Sequence, residues 1–109
     1  MIQLETSQTA TTLMVVGDLD LAEREHFPEL AARVSGLRRQ LLVIDMCATT
    51  FVDSTGAAFL ISLADVLARR GGVTMLRGVS RRDLFVLEVC GALGMFHVDA
   101  EHRCDDEVA

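Results

Sequence analysis

The stretch LLVIDMCATTFVDSTGAAF, residues 41–59, carries the clearest structural signal in the chain. Its first part, Leu41–Met46, is apolar except for Asp45, and an unbroken apolar run of this length is typical of a central parallel strand buried on both faces. We expect a loop over Cys47–Asp53 and then a helix, with Ser54 as the N-cap that accepts a hydrogen bond from the first turn. The stretch therefore predicts a strand, a loop and a helix of an α/β sheet.

Further strands and helices are predicted on both sides of this stretch. The helix that starts at Ser54 is predicted to run to Arg70 and to end at Gly71-Gly72, which suits C-terminal cap geometry. The other predicted elements are strands at about 2–5, 11–16, 73–76 and 96–98, and helices that begin at about Phe27, after an irregular segment from Leu21, and at Ser80. The order β-β-α-β-α-β-α-β predicts one α/β domain whose mixed sheet has an opening hairpin and then right-handed parallel crossovers.

Two finer features are also predicted. Gly17-Asp18-Leu19-Asp20 is expected to form a turn that leads into a helix cap, with Asp20 and Glu23 as a capping-box-like pair. The apolar side of the last helix is expected to consist of Leu84, Phe85, Leu87 and Val89.

Size and charge limit the classes of function. A chain of 109 residues with half of its residues hydrophobic predicts a single domain, with a core over about residues 3–98 and an acidic tail, 99–109, that frays. The net charge of −6 argues against binding to nucleic acid, which needs a basic surface to neutralise phosphates. Since no apolar stretch reaches the ~20 residues that cross a bilayer, and Met1–Ala10 lacks a basic signal-peptide region, we expect a cytoplasmic protein without membrane contact.

The three cysteines cannot all pair within one chain and form no Cys-x-x-Cys motif, which suits a reducing compartment. Cys47 and Cys90 lie in apolar segments and are predicted to pack as small hydrophobic side chains. Cys104 lies in the predicted tail and is expected to react quickly with thiol reagents. The arginine pairs at 38–39, 69–70 and 81–82 are interpreted as solvated helix ends that complement the helix dipole.

Ser54 is interpreted in two ways. As a simple N-cap it accepts a hydrogen bond from the first turn of the helix. However, Gly56 weakens that turn by up to ~1 kcal/mol relative to alanine and leaves room for another molecule to approach. Ala57 and Ala58 would then present a small apolar surface. A phosphate on Ser54 would be stabilised by the helix N-terminus and would add charge beside Asp53.

These motifs resemble those of the STAS domain of bacterial anti-sigma factor antagonists. The similarity rests on Gly17-Asp18-Leu19-Asp20, on Leu42-Val43-Ile44-Asp45 followed by Phe51 to Gly56, and on the segment from Asp83 to Leu93, and it spans about residues 3–98. Two positions depart from the family pattern: Pro28 lies further from the Gly-Asp-Leu-Asp turn than is usual, and Ala57 replaces a larger aliphatic residue.

The resemblance implies a regulatory protein that is not an enzyme and needs no cofactor. Such proteins bind an anti-sigma factor that is also a serine kinase of the histidine-kinase-like ATPase type, and so release the sigma factor. The kinase phosphorylates the serine after the motif aspartate, here Ser54, and a serine phosphatase restores it. Asp53 would position or polarise the hydroxyl for the kinase. The implied partner-binding residues are Asp18, Asp20, Asp53, Ser54, Thr55, Gly56, Ala57 and Ala58.

Other functions have weaker support in the sequence. Asp53-Ser54-Thr55-Gly56 does not match the aspartic protease motif, and no Gly-x-Ser-x-Gly is present for a serine hydrolase. A metal site made of His97, His102 and Cys104 fits no recognised zinc spacing, so no metal is expected. Two alternatives remain open on the same fold: a subunit of a lipid-transport or stress-sensing complex, and a sensor of a nucleotide or another small molecule.

Overall fold

The computed structural model describes residues 1–104, which form a five-stranded sheet and three α-helices. The strands are β1 Ile2–Thr6, β2 Ala10–Leu19, β3 Leu41–Val52, β4 Val73–Arg77 and β5 His97–Asp99. The α-helices are α1 Phe27–Leu37, α2 Ser54–Arg69 and α3 Arg81–Val89. Two short 3-10 helices, Leu21–His26 and Leu93–Met95, precede α1 and β5.

The strand order across the sheet is the same as the order along the chain, β1-β2-β3-β4-β5. β1 pairs antiparallel with β2, and every later pair is parallel. An opening hairpin followed by strand–helix–strand crossovers therefore builds a mixed sheet. The predicted α/β class and the order of elements are confirmed.

The core lies where α2 packs on the centre of the sheet. β3 is the middle strand, and its residues from Leu42 to Met46 are all buried, which confirms the prediction of a strand covered on both faces. α2 contacts β2, β3 and β4 and contributes Leu60, Leu63 and Leu67 to the core. α1 packs on α2 through the stacked rings of Phe27 and Phe59, whose centroids are 4.1 Å apart. These contacts fix the position of α2, and hence of the residues at its start.

One ion pair reaches from the surface into this core, with Asp45 buried and Arg77 partly exposed. The side chain of Asp45, in β3, is 1% exposed, and its Oδ2 accepts a hydrogen bond from Arg77 Nε at 2.9 Å. Its Oδ1 accepts from the backbone N–H of Cys47 at 3.0 Å. Asp45 and Arg77 are also directly paired across β3 and β4. The charged residue in the apolar run of β3 thus receives hydrogen bonds from the neighbouring strand and from its own strand.

Several predicted helix boundaries are confirmed. α1 begins at Phe27 with Pro28 in its first turn, where a proline does not disrupt the helix, and the irregular lead-in is the 3-10 helix Leu21–His26. Ser80 caps α3 by accepting a hydrogen bond from the N–H of Asp83 at 3.1 Å. α2 ends before Gly71, which has a positive φ of 76°.

β2 and β3 are longer than predicted. The segment expected as a loop, Cys47–Asp53, is mostly strand, because β3 continues to Val52 alongside Gly17–Leu19 of β2. The predicted turn at Gly17 is instead a shift in strand register, and Gly17 has a positive φ of 81°. A glycine in this conformation is typical of a β-bulge, which bends a strand without ending it. Thr49, Thr50, Phe51 and Val52 are residue types with high strand propensity, which suits them to this extension.

The predicted capping box at Asp20 forms only in part. The carboxylate of Asp20 caps the 3-10 helix by accepting from the N–H of Ala22 at 3.0 Å. Glu23 Oε1 lies instead 3.4 Å from the amino group of Met1.

The prediction for the apolar side of α3 is wrong in part. Leu87 is buried and Leu84 packs against the core, but Phe85 and Val89 are 62% and 69% exposed. Because α3 has only nine residues, its apolar positions are too few to define one face, and two of them point away from the sheet.

The cysteines differ most from expectation. Cys47 and Cys104 form a disulfide across 57 residues, and Cys90, which was predicted to be buried, is an exposed free thiol. The predicted frayed tail is therefore ordered at its start: Asp99 belongs to β5, and Cys104 is bonded to β3. The sequence gives no sign of this contact, since β3 and the segment after β5 are brought together only by the folded sheet. The rest of the predicted tail, 105–109, lies outside the described residues.

None of the helices in residues 1–104 combines the length and the hydropathy that a membrane crossing requires.

Candidate functional site

The candidate site is the junction of β3 and α2, and Asp53 organises it. Asp53 has an extended backbone and is the N-cap of α2, since its Oδ1 accepts a hydrogen bond from the N–H of Gly56 at 2.8 Å. Its Oδ2 accepts from the N–H of Leu21 at 3.2 Å. One carboxylate therefore holds the start of α2 and the start of the 3-10 helix after β2.

Ser54 is the first helical residue, and the prediction that it is the N-cap is wrong. Asp53 and Ser54 both favour cap positions, but the end of β3 places Asp53 next to β2, where its N–H donates to Leu19 O at 3.3 Å. Both carboxylate oxygens of Asp53 accept backbone N–H groups, so they are occupied in holding the junction. The Ser54 side chain is exposed at the helix start.

Gly56 has a structural role within the chain. A Cβ at this position would lie 2.0 Å from the carbonyl oxygen of Leu19, which belongs to β2. The prediction that Gly56 leaves room for another molecule is therefore wrong, because the backbone of β2 fills that space. The glycine lets the first turn of α2 pack directly on the end of β2.

The remaining predicted residues at the start of α2 differ in accessibility. Ala57 is fully buried and belongs to the core, so it does not form the apolar surface expected of it. Thr55 is half-buried and Ala58 is exposed. The surface at the start of α2 is therefore made by Ser54, Thr55 and Ala58, with Gly56 and Ala57 beneath it.

Thr55 and Ala58 also line a shallow groove between α1 and α2. The groove has a volume of about 330 Å³, and its walls are mostly apolar. Its lining residues are Phe27, Pro28, Ala31, Thr55, Ala58, Phe59 and Ser62. Pro28, which departs from the usual family spacing, therefore helps to shape the surface next to Ser54.

The two aspartates predicted from the Gly-Asp-Leu-Asp segment lie on the β2 side of the junction. Asp18 is paired with Phe51 in the sheet register, and its Oδ1 accepts a hydrogen bond from the hydroxyl of Thr50 at 2.6 Å. Asp20 caps the 3-10 helix through Ala22, whose neighbour Leu21 donates to Asp53. Hydrogen bonds and strand pairing thus bring the two aspartates and Asp53 to the same end of β2 and β3.

Sequence reasoning missed Phe51 and Arg82 as surface residues near this end of the sheet. Phe51, in β3, is 42% exposed, and the Arg82 guanidinium lies 5.7 Å from the centre of its ring. Arg82 Nη2 also donates to the carbonyl oxygen of Thr50. The sequence did carry a signal, since Arg81 and Arg82 stand at the start of α3. Cations are unfavourable at a helix N-terminus, so the interpretation that this pair complements the helix dipole is wrong.

The groups that could hold a metal ion differ from the set considered in the sequence. Within residues 1–104, His97 is not part of a close ligand cluster, whereas Cys47, His102 and Cys104 are. This cluster lies at the disulfide, on β3 and the segment after β5.

Comparison with known proteins gives one family match. The model of the STAS domain matches residues 1–103 of the chain. No curated protein matches the chain significantly.

Several solved structures share the fold. The Bacillus cell fate determinant SpoIIAA in its phosphorylated form is 19% identical, with a TM-score of 0.72 and full coverage of both chains, 100% and 100%. An anti-sigma factor antagonist from Mycobacterium paratuberculosis is 22% identical, with a TM-score of 0.73 over 99% of this chain and 90% of that one. A serine-to-glutamate variant of RsbS from Moorella thermoacetica is 19% identical, with a TM-score of 0.76 over 98% and 93%. At such low identities the likeness establishes the fold.

Proposed function

The chain belongs to the STAS domain family, and from this premise we propose that it is a cytoplasmic anti-sigma factor antagonist switched by phosphorylation of Ser54. In the proposed cycle the unphosphorylated protein binds an anti-sigma factor that is also a serine kinase, and the sigma factor is released. The kinase transfers a phosphate to Ser54, the complex dissociates, and a serine phosphatase restores the binding form. The protein itself carries out no catalysis.

The observation that carries this proposal is the exposed hydroxyl of Ser54 at the start of α2. Asp53, which precedes it, is committed to holding the junction, so the neighbouring structure does not depend on the serine. A kinase active site can therefore reach Ser54 without unfolding the helix start. Thr55 is less accessible, which favours Ser54 as the acceptor.

The surface around Ser54 supports its role as a binding site. On one side the groove between α1 and α2 offers an apolar surface next to Thr55 and Ala58. Phe51 and Arg82 add an aromatic ring and a cation at the end of β3. Aromatic and arginine side chains are enriched among residues that dominate the energy of protein interfaces. We therefore assign Phe51 and Arg82 to the partner surface, in addition to Asp18, Asp20 and the start of α2.

The proposed switch acts through charge. A phosphate on Ser54 carries about −1.5 to −2 at neutral pH, and the N–H groups and dipole of the first helical turn would stabilise it, so the fold is expected to tolerate it. The same charge adds to Asp18, Asp20 and Asp53 on a chain whose net charge is already −6. In a complex it would become a desolvated anion opposite the partner, which costs binding free energy. The modification would thus change the interface far more than the fold.

Two substitutions test the proposal. Ser54→Ala should bind the anti-sigma kinase as the wild type does and should resist inactivation by ATP. Ser54→Glu should fold normally but bind at least about tenfold more weakly, equivalent to ~1.4 kcal/mol. Calorimetric titrations of both variants, beside circular dichroism and thermal melts, separate binding from folding. Equal affinities for the two variants would contradict the switch.

Mapping of the phosphate provides an independent test. The protein is incubated with the cognate kinase and ATP, and the modified residue is identified by mass spectrometry. We expect phosphate on Ser54, and the Ser54→Ala variant should remain unmodified. Phosphorylation of Thr55 while Ser54 is intact would refute the assignment.

A further inference from the structure

A second site lies where the segment after β5 meets β3. Cys47, His102 and Cys104 each present one ligand atom, and the two sulfurs and an imidazole nitrogen all lie within 4.8 Å of one another. The three side chains are half-buried, so the cluster is shielded but reachable from solvent. Cys47 and Cys104 are joined as a disulfide, with their Cα atoms 5.4 Å apart.

We propose that the reduced chain binds one zinc ion through Cys47, His102 and Cys104, and that the disulfide is the oxidised, metal-free form of this site. Two thiolates and one imidazole are a donor set that zinc prefers, with a water or another donor in the fourth tetrahedral position. The proposal does not depend on the phosphorylation of Ser54 or on any partner protein.

Gly78 makes room for the two sulfurs. It follows β4 and has a positive φ of 70°, and a Cβ on it would lie 2.3 Å from Cys47 Sγ and 2.7 Å from Cys104 Sγ. Any other residue here would be strained and would occupy the space of the sulfur atoms. The glycine therefore lets both sulfurs pack against the turn that follows β4.

A side-chain carboxylate also holds the backbone at His102 in place. The carboxylate of Asp99, at the end of β5, accepts hydrogen bonds from the N–H groups of Glu101 and His102, both at 3.1 Å. This turn directs the chain after β5 back towards Cys47, so that His102 and Cys104 approach the same point. Ligand positions that are fixed before a metal binds reduce the entropic cost of binding it.

The disulfide and the metal-free dithiol differ by two electrons and two protons. A dithiol reductant transfers them to the Cys47–Cys104 bond, which breaks to give two thiols while the reductant closes to a disulfide. Zinc then displaces the two thiol protons and binds the thiolates. In the reverse direction a peroxide takes up the two electrons of the thiolates and two protons from solvent; its O–O bond breaks to give an alcohol and water, or two waters from hydrogen peroxide, while the S–S bond forms and the zinc is released.

Cobalt(II) is the spectroscopic probe for the test. The full chain is reduced, freed of reductant under anaerobic conditions, and titrated with Co²⁺ alone. We expect thiolate-to-cobalt charge-transfer bands and the visible bands of a tetrahedral ion. Both sets of bands should saturate at one cobalt per chain. Addition of one equivalent of Zn²⁺ should remove both sets, because zinc displaces the cobalt. The unreduced protein should show none of these bands.

Matched variants assign the ligands. Cys47→Ser and Cys104→Ser should each lose most of the charge-transfer absorption, and His102→Gln should weaken Zn²⁺ binding by roughly tenfold or more. His97→Gln and Cys90→Ser serve as controls, since both residues are exposed and lie outside the cluster, and both should bind as the wild type does. Circular dichroism of each variant confirms that the fold is retained.

Three results would overturn the proposal: no thiolate–cobalt band in the reduced wild type, a band of undiminished intensity in Cys47→Ser, or binding that is lost with Cys90→Ser. The last would mean that the metal bridges two chains through the exposed thiol.

Discussion

Asp53 performs two tasks that are often divided between different residues. One carboxylate oxygen caps α2 through Gly56, and the other holds the N–H of Leu21, 32 residues earlier in the chain. Because the aspartate caps the helix, the neighbouring Ser54 is not needed for that purpose. A regulated serine benefits from this arrangement, since its modification need not break a hydrogen bond on which folding depends.

Because Asp53 caps α2 and Ser54 does not, alanine substitutions at the two positions should affect stability differently. Asp53→Ala removes a cap and a second acceptor, and should lower the free energy of unfolding by about 1–2 kcal/mol or more. Ser54→Ala should change it by less than about 0.5 kcal/mol, as at ordinary surface positions. Urea unfolding followed by circular dichroism measures both. A larger loss for Ser54→Ala than for Asp53→Ala would mean that the serine is the cap after all.

For single residues, the sequence could identify the segment that forms the candidate site, at the junction of β3 and α2, but not the role of each residue in it. Asp53 and Ser54 are equally good caps by type, and only the position of β2 determines which of them bonds the first turn. Phe51 and Arg82 come together across β3 and α3, a contact that no local pattern encodes. Gly56 was identified as unusual, but the group that approaches it comes from a strand 37 residues earlier.

Among the elements, α2 is closely packed at its start. Its first turn lies against the carbonyl of Leu19 in β2. This close approach is possible because residue 56 is a glycine and carries no Cβ. α1 offers a contrast, because its Gly36 is exposed and a Cβ added there would meet no atom within 4 Å. The two helical glycines thus have opposite expected effects on stability.

We expect Gly56→Ala to destabilise the protein and Gly36→Ala to stabilise it. At position 56 the added methyl group would meet rigid backbone, and overpacking of this kind typically costs about 1–3 kcal/mol. At position 36 the same substitution removes the entropic disadvantage of glycine in a helix, worth up to about 1 kcal/mol. Thermal melts of the two variants should shift in opposite directions. A Gly56→Ala variant as stable as the wild type would show that β2 and α2 can separate at this point.

Elements were predicted correctly where a short segment of sequence carries a strong pattern of its own. The apolar run at Leu41–Met46 and the glycine pair after α2 determine a strand and a helix end without help from distant residues. The predictions that are wrong concern segments whose structure depends on a neighbouring strand. Cys47–Val52 is strand because β2 continues beside it after a bulge at Gly17, and a single chain segment gives no sign of its neighbour's length.

For the molecule as a whole, the bond between Cys47 and Cys104 joins the middle of the sheet to the end of the described chain. It closes a loop of 57 residues that contains α2, β4, α3 and β5. A cross-link over a long loop restricts the unfolded chain strongly and so favours the folded one. The state of these two thiols therefore affects the whole fold and not just one surface.

Chemical labelling and unfolding check this arrangement. In unreduced protein, Cys90 should react at once with a thiol reagent, while Cys47 and Cys104 should react only after reduction or unfolding. Cys104→Ser should lower the free energy of unfolding under oxidising conditions by up to about 4 kcal/mol, the loop-entropy value for a loop of this length. Cys90→Ser should leave stability unchanged. Prompt labelling of all three cysteines without reduction would show that the bond is not formed.

The pair of Asp45 and Arg77 bears on how the strands find one another. A slip of β4 along β3 by two positions would keep every side chain on its own face of the sheet. Slippage would, however, separate the carboxylate from its guanidinium and leave a charge in the core without its cross-strand partner, an error that costs several kcal/mol. The ion pair of Asp45 and Arg77 therefore favours the native register of β3 and β4 over a slip by two residues.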